Sequence, residues 1–262
     1  MEVLLEAKKL NKTYRRKTAD TVAALTDLSF SLCKGRCLGI VGESGCGKST
    51  LCRLITGLEE PSSGEILYCG EPLKNLKKRR DIQMVFQNSM DAVNLHLNVY
   101  RIISEPLENF FHMTKSERKE KTAQLLKQVG LSEDDMYKYP AQFSGGQLQR
   151  VCIARALAAS PEILILDEPL SSLDISVQAQ ILNLLLDLKE QFKLTCILVS
   201  HDLRAVYYLA DEVLVMRGGR LAEKIDDIKT LGSSKHPYTM QLLESHEYLG
   251  KSEFYSVGTK CI

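Results

Sequence analysis

The chain has 262 residues, 44% of them hydrophobic, with 34 basic against 33 acidic side chains and a net charge of +1. That content can bury one large domain with a smaller lobe, and the balanced charge supplies no general field to draw the chain to DNA or anionic lipid. No apolar run approaches the roughly 20 residues that span a bilayer, and the amino-terminal MEVLLEAKK lacks a signal peptide's apolar stretch, so a cytosolic protein is expected, membrane-bound only through a partner.

Residues 28–32 (LSFSL) alternate apolar and polar, the period of a half-buried strand. Residues 37–41 (CLGIV) form a short apolar strand entering a glycine loop, and 48–56 predict the helix leaving it, closed by Gly57. A turn at 61–64 (PSSG) precedes a strand at 65–68. The run 82–86 is the next strand and ends at Gln87. From 88 to 160 the pattern turns helical: 114–117 (TKSE) is a capping box, and Leu125, Leu126 and Val129 make an apolar stripe before Gly130. Buried strands return at 163–166 and 195–199, with Val177, Ile181, Leu184, Leu185 and Leu188 at helical spacing between them. The runs 213–216 and 220–222 flank Gly218-Gly219, a hairpin signal.

Strands alternating with helices predict an α/β fold with a mainly parallel sheet, an antiparallel β subdomain and an inserted α-helical subdomain. Within a single domain of residues 1–262, the core is expected at 1–87 and 161–230, the helical subdomain at 88–160 and a C-terminal extension at 231–262.

Residues 42–49 (GESGCGKS) match G-x-x-x-x-G-K-[ST] at every position. Gly42, Gly45 and Gly47 permit backbone angles and close approaches that a side chain forbids. The N–H groups of the loop, which also includes Glu43, Ser44 and Cys46 and runs on to Thr50, form an anion cradle at a helix start. Lys48 is expected to reach the β- and γ-phosphates of ATP, and the Ser49 hydroxyl to ligand Mg²⁺. The eight cysteines form no C-x-x-C pair and suit a reduced core. Cys46 is the exception, because a thiol reagent there is expected to block nucleotide binding.

Asp167 and Glu168 close an apolar strand, and ligands bind at the carboxyl ends of strands in such sheets. Asp167 suits Mg²⁺ through water; Glu168 can polarise the attacking water. His201 follows another buried strand and can donate a hydrogen bond to the γ-phosphate. Gln87, also at a strand end, can bind Mg²⁺ or the lytic water. In the segment Ser144, Gly145, Gly146 and Gln147, Ser144 is a good N-cap for the helix after it, and the two glycines bare N–H groups at its positive end. Two phosphate-binding surfaces in one chain suggest that each ATP is shared between two subunits.

Over essentially its whole length the sequence resembles the ATP-binding-cassette (ABC) ATPases, with 42–49 similar to Walker A and 163–168 to Walker B. Gln87 resembles the Q-loop glutamine, 144–147 the signature, 171–174 with Asp174 the D-loop, and His201 the switch histidine. The resemblance implies a head-to-tail dimer in which one subunit's signature closes over ATP bound by the other. Tyr14 lies where the family places an aromatic residue that stacks on adenine, and Phe143 replaces the more common leucine before the signature.

The absence of a fused membrane segment favours an importer with separate membrane parts. Residues 236–239 (HPYT) resemble the tail of the peptide and nickel importer branch, and 79–87 and 145–152 look most like the second ATPase of nickel importers. The implied cargo is nickel, a metal chelate or short peptides. The implied partners are a second ATPase, of a different homologous chain, two permeases and an extracytoplasmic solute-binding protein, at the cytoplasmic face of the membrane. Some relatives carry an iron–sulfur cluster in a multi-cysteine tail; here only Cys261 lies there, so none is expected. A cassette acting on ribosomes or DNA fits poorly, since the chain holds one cassette and no sustained heptads, and no nucleic acid is expected as a partner.

Overall fold

The computed structural model describes residues 2–15, 21–75, 80–171 and 173–245. In chain order the elements are β1 (Val3–Arg15), β2 (Thr21–Cys33), β3 (Cys37–Val41), α1 (Lys48–Ile55), β4 (Ser63–Tyr68), β5 (Glu71–Pro72), β6 (Ile82–Val85), α2 (Ser89–Ala92) and α3 (Val99–Phe110). They continue as α4 (Lys115–Gln128), α5 (Gly145–Ala158), β7 (Ile163–Asp167), α6 (Ile175–Phe192), β8 (Thr195–Val199), α7 (Leu203–Leu209), β9 (Glu212–Arg217), β10 (Arg220–Ile225) and α8 (Pro237–Ser245). The mixed α/β class is as the sequence predicts.

The described residues divide into two compact units, the first drawn from 2–54, 59–73 and 198–245, the second from 55–58 and 74–197. In the first unit an antiparallel sheet has the order β2-β1-β4-β5. Leu28, Phe30 and Leu32 bury one side of β2, the alternation expected from the sequence, and Leu5, Ala7 and Leu10 of β1 are buried as well. Also in this unit, β3 pairs in parallel with β9, and β9 pairs antiparallel with β10. Every residue of β3 is buried, which explains its unbroken apolar run. Asp211 pins the start of β3: its carboxylate accepts from the Cys37 N–H at 2.7 Å, and its own N–H donates to the Cys37 carbonyl at 2.8 Å. Gly218 and Gly219 both take positive φ, 54° and 78°, as a two-residue hairpin requires.

The second unit is built around α5, which packs against α2, α3, α4, α6 and β6. Ile102, Ile103 and Leu107 of α3 and Leu125 and Leu126 of α4 are buried, as are Leu148, Val151, Cys152 and Ile153 of α5. Arg155 links three helices by donating to the Ala92 carbonyl at 2.8 Å and to the Glu105 carboxylate at 2.9 Å. The Thr114–Glu117 capping box forms as predicted, both bonds being present. In the same unit β6 and β7 run parallel, Ile82 opposite Ile163 and Val85 opposite Leu166. No helix among the described residues is long and apolar enough to cross a membrane.

Candidate active site

In the first unit the chain leaves buried β3 and turns through the glycine loop into α1. Gly42 has φ +152°, and a Cβ there would lie 2.2 Å from the Met216 carbonyl oxygen; at Gly47, φ +105°, it would lie 2.5 Å from that of Ala24. The loop is thus wedged between two neighbouring backbones, and a side chain at either glycine would force it out. Lys48 is 6% exposed and curls back over the loop: its ammonium donates to the carbonyls of Gly42 at 2.7 Å and Glu43 at 3.0 Å. Glu43, Ser44, Gly45 and Ser49 are exposed, Thr50 half-buried. Cys46 is 4% exposed, and burial pushes its thiol pKa up despite nearby Lys48. The loop thiol is therefore shielded and slow to react, so any block of nucleotide binding by a thiol reagent there would develop slowly.

Tyr14, near the end of β1, is half-buried, and its hydroxyl donates to the Glu59 carboxylate at 2.5 Å. The Lys12 ammonium lies over its ring, 5.0 Å from the centroid, and forms an ion pair with Glu59 at 3.1 Å. Burial and the Glu59 bond raise the Tyr14 pKa, and the same bond chiefly holds Glu59 below the usual carboxylate range. His201 is exposed between the end of β8 and Asp202, the N-cap of α7. The Ser200 N–H donates to the Ile40 carbonyl at 3.2 Å, fixing that strand end beside β3.

In the second unit Asp167 ends β7 and is 7% exposed. Glu168 follows with φ +47°, a left-handed conformation that costs energy for a non-glycine residue. Its carbonyl accepts from both the N–H and the hydroxyl of Ser171, which hold the turn. The Gln87 amide donates to the Glu168 carboxylate at 3.1 Å, so the structure brings together these two residues, 81 positions apart. Ser144 caps α5, its hydroxyl accepting from the Gln147 N–H at 3.3 Å while the Gln147 side chain accepts from the Ser144 N–H. Ser144 and Gly145 are exposed, but Gly146 is buried, and a Cβ there would meet Val177 Cγ1 at 2.3 Å. The second glycine thus serves close contact with α6. Asp174 N-caps α6 without a side-chain capping bond and is exposed, and the next residue, Ile175, is 80% exposed. Ser172, between Ser171 and the rest of the expected D-loop, and Cys261 lie outside the described residues.

Lys48, Ser49, His201 and Tyr14 belong to the first unit; Gln87, Asp167, Glu168, Asp174 and residues 144–147 belong to the second. Sequence reasoning missed Glu59 and Tyr238. The Tyr238 hydroxyl accepts from the Glu43 N–H at 3.3 Å. Nothing in local spacing announces a contact between residues 195 positions apart.

A glycine loop wrapped around a buried lysine, between a buried parallel strand and a helix, defines a phosphate-loop ATPase. Residues 25–171 match the ABC transporter family model. Among curated proteins, the chain is 42% identical to the oligopeptide transport ATP-binding protein OppF of Haemophilus influenzae, over 93% of this chain and 78% of that one. It is 43% identical to the dipeptide transport ATP-binding protein DppF of Escherichia coli, over 92% and 76%. Among solved structures it is similar to the dimeric ATP-binding cassette MJ0796 in a post-hydrolysis state bound to ADP and Pi, with TM-score 0.77 and 30% identity over 84% and 97% of the two chains. It is also similar to cbiO1 of Clostridium perfringens, part of an ABC transporter complex, with TM-score 0.78 and 28% identity over 95% and 99%. The chain belongs to the ABC transporter family, as an ATP-binding subunit whose ATPase activity is coupled to transport.

Proposed function

We propose that this chain is the ATP-hydrolysing subunit of an importer for di- or oligopeptides. It works at the cytoplasmic face of a membrane with a second, homologous ATPase chain, two permeases and an extracytoplasmic solute-binding protein. The observation that carries the cargo is the naming of OppF and DppF, aligned with more than nine-tenths of this chain, as peptide transport proteins. Nickel, suggested by the wording of 79–87 and 145–152, gains no such support from the relatives named above. A groove of about 330 Å³ in the second unit, lined by Leu58, Met84, Phe86, Pro106, Phe110 and Arg155 among others, supports permease docking beside the helical elements.

For the chemistry, the loop from Gly42 to Thr50 cradles the phosphates, and Tyr14 stacks on the adenine. Ser49, Asp167 and Gln87 offer hard oxygen donors, the set that suits Mg²⁺, which when bound neutralises charge on the β- and γ-phosphate oxygens. Lys48 turns from its loop carbonyls to the phosphates. Glu168 takes a proton from the attacking water, with Gln87 orienting its carboxylate, and His201 donates to the γ-phosphate. Residues 144–147, with Asp174 beside them in function, complete the site of the partner ATPase in trans, an arrangement supported by the exposure of Ser144, Gly145, Gln147 and Asp174. Positioning and charge stabilisation of this kind carry most of phosphoryl-transfer catalysis.

The cargo is tested by reconstituting the whole complex in vesicles and measuring ATP turnover with solute-binding protein loaded with peptide or with nickel. Stimulation by peptide alone is the expected result; stimulation by nickel alone would overturn the peptide reading.

A further inference from the structure

The Gly42–Glu43 peptide unit is held from both ends. Its carbonyl accepts from the Lys48 ammonium at 2.7 Å, and its N–H donates to the Tyr238 hydroxyl at 3.3 Å. Tyr238 stands in the first turn of α8, 2% exposed, with the Arg217 guanidinium 4.7 Å from its ring centroid. The start of α8 is anchored in turn to β10: the hydroxyls of Thr239 and Ser234 both donate to the Glu223 carboxylate, at 2.5 and 2.7 Å. From the β9–β10 hairpin, the Gly219 N–H donates to the Cys46 carbonyl at 3.0 Å, and the Met216 carbonyl backs Gly42. The last third of the chain thus braces the glycine loop at Gly42, Glu43 and Cys46. All these groups lie in the first unit.

We infer that Tyr238 is a positioning residue for the glycine loop, through which the segment around α8 sets the affinity for ATP. A peptide plane fixed only through its carbonyl can rotate once the lysine leaves. Lys48 has to leave the Gly42 carbonyl, wholly or in part, to reach a phosphate. The Tyr238 hydroxyl keeps the other end of that plane in place while this happens, so the loop stays shaped for the nucleotide. Burial raises the Tyr238 pKa, which keeps the phenol neutral across the physiological range. Linkage makes the effect reciprocal: if the Tyr238 contact favours the ATP-binding loop, bound ATP must favour the docked α8. The nucleotide state of the loop is thereby felt in the segment that follows the cassette core.

This inference rests on the reading of residues 42–50 as the phosphate cradle. The test measures ATP affinity and single-turnover hydrolysis on the full-length chain, wild type against Tyr238→Phe, with Lys48→Ala as control. Tyr238→Phe keeps the ring on Arg217 and removes only the acceptor, so a loss of about three- to tenfold in ATP affinity is expected, with the hydrolysis rate at saturating ATP within about twofold, the scale of one neutral hydrogen bond. Hydrogen exchange supplies a readout that mere packing would not move: ATP slows exchange of α8 amides in the wild type and does so much less in Tyr238→Phe. Arg217→Gln, a change at an exposed position, weakens ATP binding in the same direction by about twofold. If Lys48→Ala abolishes binding while Tyr238→Phe and Arg217→Gln both bind ATP normally and α8 exchange ignores the nucleotide, the positioning role is wrong and the cradle stands. If Lys48→Ala binds ATP normally, the cradle itself is wrong and the inference falls with it.

Discussion

Gly146→Ala sets two well-calibrated effects against each other. Near the start of α5, alanine in place of glycine adds helix propensity worth up to about 1 kcal/mol. The new methyl would lie 2.3 Å from Val177 Cγ1, more than 1 Å inside an ordinary contact. Overpacking of that kind costs about 1–3 kcal/mol, and Val177, half-buried on α6, can relieve only part of it. The clash wins, for a net loss of about 1–2 kcal/mol, or roughly 2–8 °C in Tm for a chain of this size. Val177→Ala removes the opposing methyls, so in that background Gly146→Ala becomes neutral or stabilising. The double-mutant cycle then shows a favourable coupling of about 1 kcal/mol or more. Thermal unfolding of the four proteins measures it. A higher Tm for Gly146→Ala alone would show the helix gain to be unopposed and the packing argument to be mistaken.

Lys48→Ala is expected to abolish nucleotide binding in an equilibrium titration, and a wild-type affinity would remove the loop from its assigned role. A maleimide is expected to label exposed Cys69 well before buried Cys46, with loss of ATP binding following the slow phase as read by peptide mass mapping. Glu59 has its pKa depressed in the fold, so its contribution is present above the ordinary carboxylate pKa and lost as pH falls through the folded value. The Tm difference between wild type and Glu59→Gln is therefore expected at neutral pH, should shrink as pH falls below the ordinary carboxylate range, and should vanish only below the depressed folded value; a difference that grew in acid would contradict the Tyr14–Glu59 bond.

Much of the fold was legible wherever one physical rule dominated. The runs at 37–41, 163–166 and 195–199 are buried on both faces and read as strands without periodicity, and the Thr114–Glu117 box and Gly218-Gly219 turn follow from local chemistry alone. β1 was not legible as a 13-residue strand. Its sequence is rich in Leu and Lys, and its register with β2 shifts at several points, which breaks the period of two. The glycine loop announced itself through Gly42, Gly47 and Lys48, whose spacing is local. The Gln87–Glu168 contact, the Tyr14–Glu59 bond and the seat of Tyr238 against Glu43 depend on chain segments meeting in space, and no local pattern encodes that. Gly146 was read as baring an anion site, while its clash-free fit on Val177 became visible only once α6 was placed. The cargo was least legible of all, because the residues of this chain serve ATP.

In the proposed mechanism Glu168 and His201 serve one ATP. Single-turnover hydrolysis by Glu168→Gln, His201→Ala and the double variant tests this directly. Groups that work as a unit are strongly non-additive, so each single change should cost about a hundredfold or more, and the double variant should be scarcely slower than the worse single one. Losses that multiply, to roughly ten-thousandfold, would place the two side chains in separate steps and contradict it.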